Sequence, residues 1–289
     1  MSEQQGPSPL VRALLNEDWK AADALVVGPA SPRELVTALR FKRKATVKKM
    51  LAAGTRADGL HEGESALHAL ADGVRDVALA RALIAAGAPV DATNTYGRTA
   101  LHLVVHHKCP ELIALLASAG SIDTPTATLP HDTALHLVCA TKTGVMSDVE
   151  AANALLLLEH GADPNRRNAD GKTALQVAAQ YSRVEVIAAM FARGAKLSEC
   201  LDFSPLHLAA GRDEDGLFEL LLANGDDLEG RSTLGETPLL SAARRSPAAL
   251  RRLIALGADR AATLPDGTDA AGHAHRYGRA DIIAALAAS

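Results

Sequence analysis

The chain has 289 residues, 48% hydrophobic and 22% charged, with a formal net charge of −4. That composition supplies a large apolar core, while the slight acidity excludes a broad basic nucleic-acid footprint and 3% aromatic residues exclude a base-stacking platform. Cys109, Cys139 and Cys200 are odd in number and form no C-x-x-C pair, which excludes a disulfide framework and a cysteine-rich zinc site and fits a reducing compartment.

Residues 1–7 read as a flexible start. "MSEQQGPSPLVRALL" lacks the basic opening and apolar run of a secretory signal, and aliphatic runs such as "ANALLLLEHG" are too short to cross a bilayer. A soluble, intracellular, cytoplasmic protein is expected. "SPLVRALLNEDWKAADALVVG" predicts a capping helix pair over 8–30. "SPRELVTALRFKRKATVKKMLAAG" predicts a degenerate repeat over 31–60. From there the chain repeats itself: "SALHALA" starts at Ser65, "TALHLVV" at Thr99, "TALHLVC" at Thr133, "TALQVAA" at Thr173, "SPLHLAA" at Ser204 and "TPLLSAA" at Thr237. A worn copy, "DAAGHAH", starts at Asp269. The spacings are 34, 34, 40, 31, 33 and 32 residues, so six clear repeats fill 61–263 and a C-terminal capping repeat fills 264–289.

Each unit follows one physical scheme. The Ser, Thr or Asp is a helix N-cap whose side chain accepts an orphan backbone N–H, and Pro205 and Pro238 follow at the first helical position, where a missing N–H costs nothing. A short apolar helix comes next, then a second with leucines at helical spacing, such as Leu112, Leu115 and Leu116 or Leu155, Leu156 and Leu158. A glycine, one of Gly54, Gly87, Gly120, Gly161, Gly194, Gly225 and Gly257, supplies a left-handed end. Turn pairs such as Asp170-Gly171 and Asp266-Gly267 fill the connection. Helices this short hold only when each buries its faces against the next pair, so the pattern predicts a stacked solenoid and a single domain over 8–289.

The motifs "GRTALHLVV", "EHGADPNRRNADGKTALQVAA", "SPLHLAA" and "GETPLLSAARRSPAALRRLIALGAD" resemble the ankyrin repeat family, with clear matches from about Gly63 to Ser289. The resemblance implies an all-α solenoid of about nine stacked helix-turn-helix pairs with β-hairpin-like finger loops, monomeric, without a cofactor and not an enzyme. Two departures stand out. The Thr133 unit runs 28 residues from cap to glycine against 20 to 22 elsewhere, placing about seven extra residues within Ala140 to Asn153. The connection from Gly194 to Ser204 is two residues short.

Positions are numbered below from each cap. His68, His102, His136 and His207 all fall at cap+3, and a histidine recurring at one position is scaffold; in the family it hydrogen-bonds within and between repeats. A zinc reading of "RTALHLVVHHKC" pairs His102 with His106 and adds Cys109, but Leu103 stands where a metalloprotease carries its glutamate. "ADGKT" imitates a P-loop tail, with Arg166 where the first glycine belongs. Cys139 beside His136 is a small core residue rather than a nucleophile, and nothing marks Cys200 as activated. The basic stretch Arg40 to Lys49 is a solvated edge, or a patch for an acidic partner or nucleic acid with steep salt dependence. Arg244 and Arg245 are expected on the concave face, Arg251 and Arg252 outside.

The function implied is protein binding through the concave finger and first-helix surface. Mapping cap−3 to cap−1, cap+7 and cap+8 gives Tyr96, Arg98, His106, His107, Lys172, Gln180, Tyr181, Phe203, Arg212, Leu234, Glu236, Arg244, Arg245, Arg276 and Tyr277, with the weight on Tyr96 to Phe203. Small Ala- and Arg-rich ankyrin proteins resemble bacterial ones, which act as host effectors or as inhibitors and immunity partners of toxic enzymes. A concave-histidine enzyme or metalloprotein is the remaining alternative.

Overall fold

The computed structural model describes residues 6–141, 146–181, 183–197, 202–212, 214 and 216–288. Cys200, and parts of the Ala140–Asn153 insertion and the Gly194–Ser204 connection, lie outside them. The backbone divides into two compact units, Met1–Ala134 with Glu159–Gly161, and Leu135–Leu158 with Ala162–Ser289.

Among the described residues there are eighteen α-helices in nine consecutive pairs. In the first unit the pairs are α1 (Pro9–Leu15) with α2 (Trp19–Leu25), α3 (Pro32–Arg40) with α4 (Lys44–Ala52), α5 (Ala66–Ala69) with α6 (Val77–Ala85), and α7 (Ala100–Val104) with α8 (Pro110–Ala119). A π-helical turn, Leu70–Val74, extends α5. Then come α9 (Ala134–Cys139) with α10 (Asp148–Glu159), α11 (Ala174–Tyr181) with α12 (Val184–Ala192), and α13 (Pro205–Ala209) with α14 (Leu217–Ala223). The last pairs are α15 (Pro238–Ala242) with α16 (Pro247–Ala255) and α17 (Ala270–Arg276) with α18 (Ala280–Ala288). First helices pack on first helices (α1, α3, α5, α7; α11, α13, α15, α17) and second helices on second. The layer between is almost wholly Leu, Ala and Val, with Leu35, Leu39, Leu67, Leu83, Leu112 and Leu116 at 2% exposure or less. Cys139 is fully buried there, and Cys109 is nearly so.

The caps are reciprocal. Ser65 and Thr99 each accept the backbone N–H of the cap+3 histidine, while that histidine's Nδ1 accepts the cap's own N–H, at 3.1 Å for His68 and 3.0 Å for His102. This is a capping box with histidine in place of glutamate. At Ser204 the scheme changes: its hydroxyl meets His207 Nδ1 at 2.8 Å, but the Leu206 N–H goes to Asp226 Oδ2 at 2.9 Å.

The fingers have their own rule. Leu60–His61 (β1) and Glu64–Ser65 (β2) pair antiparallel around Glu62-Gly63, both at positive φ as a tight hairpin turn requires. Elsewhere the finger reduces to a loop in which the cap−5 N–H donates to the cap−1 carbonyl: Asn94 to Arg98, Asn168 to Lys172 and Ser232 to Glu236, each 2.9 Å, and Leu264 to Thr268, 2.8 Å. The Asn94, Asn168 and Ser232 side chains accept two further loop N–H groups apiece. These locks hold the cap−3 residue at the tip.

The closing glycines are left-handed with one exception. Gly120 has φ −128°, an extended conformation. A Cβ there would stand 2.5 Å from Asp91 Oδ1 and 2.7 Å from Val90 Cγ1. Close approach of the preceding finger, not handedness, requires glycine at that position.

Candidate functional site

The cap+3 side chain does more than close its own cap. His68 Nε2–H donates to the Arg98 carbonyl at 2.8 Å, His136 to Lys172 at 3.1 Å and His207 to Glu236 at 2.9 Å. In every case the acceptor is the cap−1 carbonyl of the next repeat. Gln176, which replaces histidine in the Thr173 unit, reproduces both ends: its Oε1 accepts the Thr173 N–H at 3.0 Å and its Nε2 donates to the Phe203 carbonyl at 2.9 Å. At His68 and His102 the Nδ1 accepts a backbone N–H, so the ring proton sits on Nε2 and these imidazoles are neutral. Burial pushes His68 and His207 below the ordinary imidazole range, and pushes His102 down to about 4. The geometry disfavours the zinc reading of His102, which is 3% exposed: its Nδ1 lone pair accepts the Thr99 N–H, which puts the ring proton on Nε2 and leaves neither nitrogen open to a metal. Among the described residues no group of three or more His, Cys, Asp or Glu is placed to hold a metal ion.

A second set of side chains, of which the sequence reading marked only Arg212 and that as a contact residue, donates to main-chain carbonyls, mostly at the ends of the first helices. Arg279 Nη1 donates to the Arg244 and Arg245 carbonyls at 3.0 and 2.7 Å, Arg212 Nη1 to those of Ala178 and Ala179 at 3.3 and 3.4 Å, and Arg183 to Met146 at 3.3 Å. Arg75 does the same for its own turn, on Ala71 and Asp72, both 3.0 Å. Positive charge at a helix C-terminus and donors for its orphan carbonyls are both favourable there. Three of these arginines sit at cap+10, a recurrence that would have revealed them.

In the first unit, Tyr96, Arg98 and His106 are exposed, Tyr96 at 71%. His107 is half-buried with Nε2 3.0 Å from Arg75 Nη2, and burial together with that arginine lowers its pKa. The basic Arg40–Lys49 stretch is largely engaged: Arg40 pairs with Glu62 and Glu64, Lys44 with Asp76, Lys49 reaches the Asp23 carbonyl, and Arg43 stacks 4.5 Å over Trp19. Of the two readings, the solvated edge describes these four residues better.

In the second unit, a cavity of about 430 Å³ opens between three successive fingers. It is lined by Asp170, Gly171, Lys172, Gln176 and Gln180 of the Thr173 repeat, Asp202, Phe203 and Leu208 of the Ser204 repeat, and Thr233, Leu234 and Arg245 of the Thr237 repeat. It gathers Lys172, Gln180, Phe203, Leu234 and Arg245 from the expected contact residues. Asp170 and Asp202 lie at cap−3 and cap−2 of their fingers and are not among the expected contact residues. Tyr181 lies near Arg245 and is half-buried, while Arg276 and Tyr277 are exposed further along the chain. Arg251 and Arg252 are exposed on α16.

Two of the expected contact residues turn inward. Glu236 is 5% exposed, and its carboxylate accepts from Ser241 Oγ at 2.7 Å and Arg244 Nη2 at 3.3 Å, with His273 Nε2 at 3.7 Å. Burial opposes ionisation, yet Ser241, Arg244 and His273 together hold the Glu236 pKa below the usual carboxylate range. Arg212 is half-buried, bound to the helix carbonyls above and ion-paired with Glu214. Arg244 is half-committed through Glu236.

The family model for ankyrin repeats (3 copies) matches residues 35–126 and 140–229. The chain is 31% identical over 173 residues to the mouse B-cell lymphoma 3 protein homolog, covering 58% of this chain and 37% of that protein. It is 34% identical over 109 residues to human neurogenic locus notch homolog protein 1, covering 36% of this chain and 4% of that one. The chain thus spans well under half the length of these relatives. Among solved structures, the human ASB11 ankyrin repeat domain superposes with a TM-score of 0.61 at 24% identity, covering 78% of this chain and 97% of that one, a likeness of fold. No helix among the described residues is long and apolar enough to cross a membrane. With the repeated caps, the fingers and the His/Gln links between repeats, these matches establish that the chain belongs to the ankyrin repeat family.

Proposed function

We propose that the chain is a binding module that engages a protein partner through its fingers and first-helix ends and carries no reaction of its own. Ankyrin repeat proteins generally mediate protein–protein interactions. The observation that carries the reading here is where exposed apolar side chains fall. Outside the capping pair over 8–30 and the last helix pair, the exposed large apolar side chains among the described residues are Leu60, Tyr96, Leu129 and Leu234, which lie in four different fingers at 51 to 78% exposure. Nothing in the stacking of the helices needs them there, and within each unit an apolar side chain held out on a finger suits contact with a partner. Tyr96 and Leu234 occupy the same cap−3 position, held out by the Asn94 and Ser232 locks. Arg98, His106, Lys172, Arg276 and Tyr277 supply polar contacts that differ from repeat to repeat. The free, buried Cys109 and Cys139 support a reducing, cytoplasmic setting.

The test is affinity capture with the full chain followed by mass spectrometry. Tyr96→Ser, His106→Ala and Leu234→Ser should lose a partner that the wild type and the outer-face variant Arg251→Ala both retain. Capture of the same partner by all five proteins would refute the reading.

A further inference from the structure

We infer that the cavity of the second unit takes a short internal segment of the partner protein that carries an acidic side chain next to a bulky apolar one. This rests on the protein-binding reading above and adds the chemistry of what is bound.

Arg245 carries the argument. It leaves the end of the first helix of the Thr237 repeat and passes over Gly211, with its Cδ 3.4 Å from where a Cβ on that glycine would stand, to line the cavity. It is half-buried, and burial, with Arg244 beside it, lowers its pKa. The neighbouring arginines all have carboxylates: Arg212 has Glu214, Arg244 has Glu236, Arg276 has Asp266 and Arg279 has Asp281. Among the described residues the Arg245 guanidinium makes no ion pair or hydrogen bond. The nearest carboxylate acting on it, Glu236, is already bound by Ser241 and Arg244. A partly dehydrated cation without an ion pair of its own is unfavourable, and an arriving carboxylate relieves it with charge-assisted, bidentate geometry.

The other charges on the cavity do not compete. Asp170, Lys172 and Asp202 are exposed on the finger rim, where water and salt screen them. The two rim aspartates also suit the amide groups of a passing main chain better than a free terminal carboxylate. Phe203, Leu208 and Leu234 form the apolar wall beside Arg245. The Gln180 side-chain amide, unused in any hydrogen bond among the described residues, stands ready for a peptide group. A volume of about 430 Å³ lies toward the small end of the range of ligand pockets and suits side chains rather than a folded surface.

The probe is a phage-displayed library of random dodecapeptides, fused through their C-termini so that no free carboxylate terminus is present, and selected on the full chain. Selected peptides should share Asp or Glu close to Leu, Ile, Phe or Trp. Changing that acid to its amide in the peptide, or Arg245→Gln in the protein, should each weaken binding about tenfold or more, with little further loss when combined. Leu234→Ser should weaken binding while leaving the acid preference intact. Circular dichroism and thermal unfolding of Arg245→Gln confirm that the variant is folded. Recovery of no peptide, peptides without an acid preference, equal binding to Arg245→Gln, or binding only by synthetic peptides with a free C-terminus would each overturn the proposal. Those outcomes leave the broader reading to its own test, the capture of a partner sensitive to Tyr96 and His106 in the other unit.

Discussion

His207 and Glu236 are joined by a hydrogen bond that ignores the glutamate's side chain: the imidazole Nε2–H donates to the Glu236 carbonyl 2.9 Å away, while the Glu236 carboxylate turns to Ser241 and Arg244. The same ring receives the Ser204 hydroxyl at 2.8 Å on its other nitrogen. One side chain therefore fixes both a helix start and the register of the following repeat.

Removing that link should cost more than its packing. His207→Ala leaves the Glu236 carbonyl without its buried donor and opens a void, a loss of about 2–4 kcal/mol. His207→Gln should recover most of it, because Gln176 already makes both bonds in the adjacent repeat. Urea titration followed by circular dichroism measures both; equal destabilisation by Ala and Gln would contradict the link.

Acid should unfold the chain through these rings. Burial depresses the His102 pKa from an ordinary 6.5 to about 4 in the folded state. The unfolded chain therefore takes up protons first as pH falls. The contribution of His102 is complete above 6.5, declines as pH drops from 6.5 to 4, and amounts to about 3 kcal/mol across that window. His68 and His207 shift in the same direction for the same reason. Denaturation midpoints between pH 7 and pH 4 should fall for the wild type and fall less steeply for His102→Gln.

Two finger glycines should respond differently to one methyl group. Both have left-handed φ, 68° at Gly97 and 72° at Gly171. A Cβ at Gly97 would stand 2.7 Å from the backbone nitrogens of Ala127 and Thr128, whereas at Gly171 it meets nothing within 4 Å. Gly171→Ala should cost about 1–2 kcal/mol of backbone strain. Gly97→Ala should cost clearly more, since main chain must move. Thermal unfolding of the two variants compares them directly.

Glu236 should behave as an internal residue. Glu236→Ala strands the half-buried Arg244 guanidinium beside Ser241 and His273, a loss of about 3–5 kcal/mol. Glu236→Gln keeps an acceptor for Ser241 and should cost less. Chemical denaturation of the two variants decides it; a neutral Glu236→Ala would place the carboxylate on the surface after all.

Much of this was legible because it recurs. Four histidines at cap+3 pointed to scaffold, and the Ser, Thr and Asp caps with their glycines marked seven of the nine helix pairs. What escaped notice was recurrence under changed chemistry. Gln176 does the work of histidine, but its letter hides it. Arg75, Arg183 and Arg279 recur at cap+10, yet look like surface charge until the main-chain carbonyls they serve are visible. Gly120 matches the pattern of its counterparts for a different cause, since what it needs is room for Asp91 rather than a left-handed turn. Glu236 shares its finger position with the exposed Arg98 and Lys172, and only the placement of Arg244 and His273 draws it inside.

The acceptor in every cap+3 link is a main-chain carbonyl, and that has a consequence for how the protein can change. Arg98, Lys172, Phe203 and Glu236 hold the same joint with four unrelated side chains. The joint does not depend on the letter written there. Where the joining side chain is exposed, as at Arg98 and Lys172, substitution thus leaves the joint intact and the finger edge can be rewritten while the frame keeps its register; Glu236, whose carboxylate is built into the stack, is the exception.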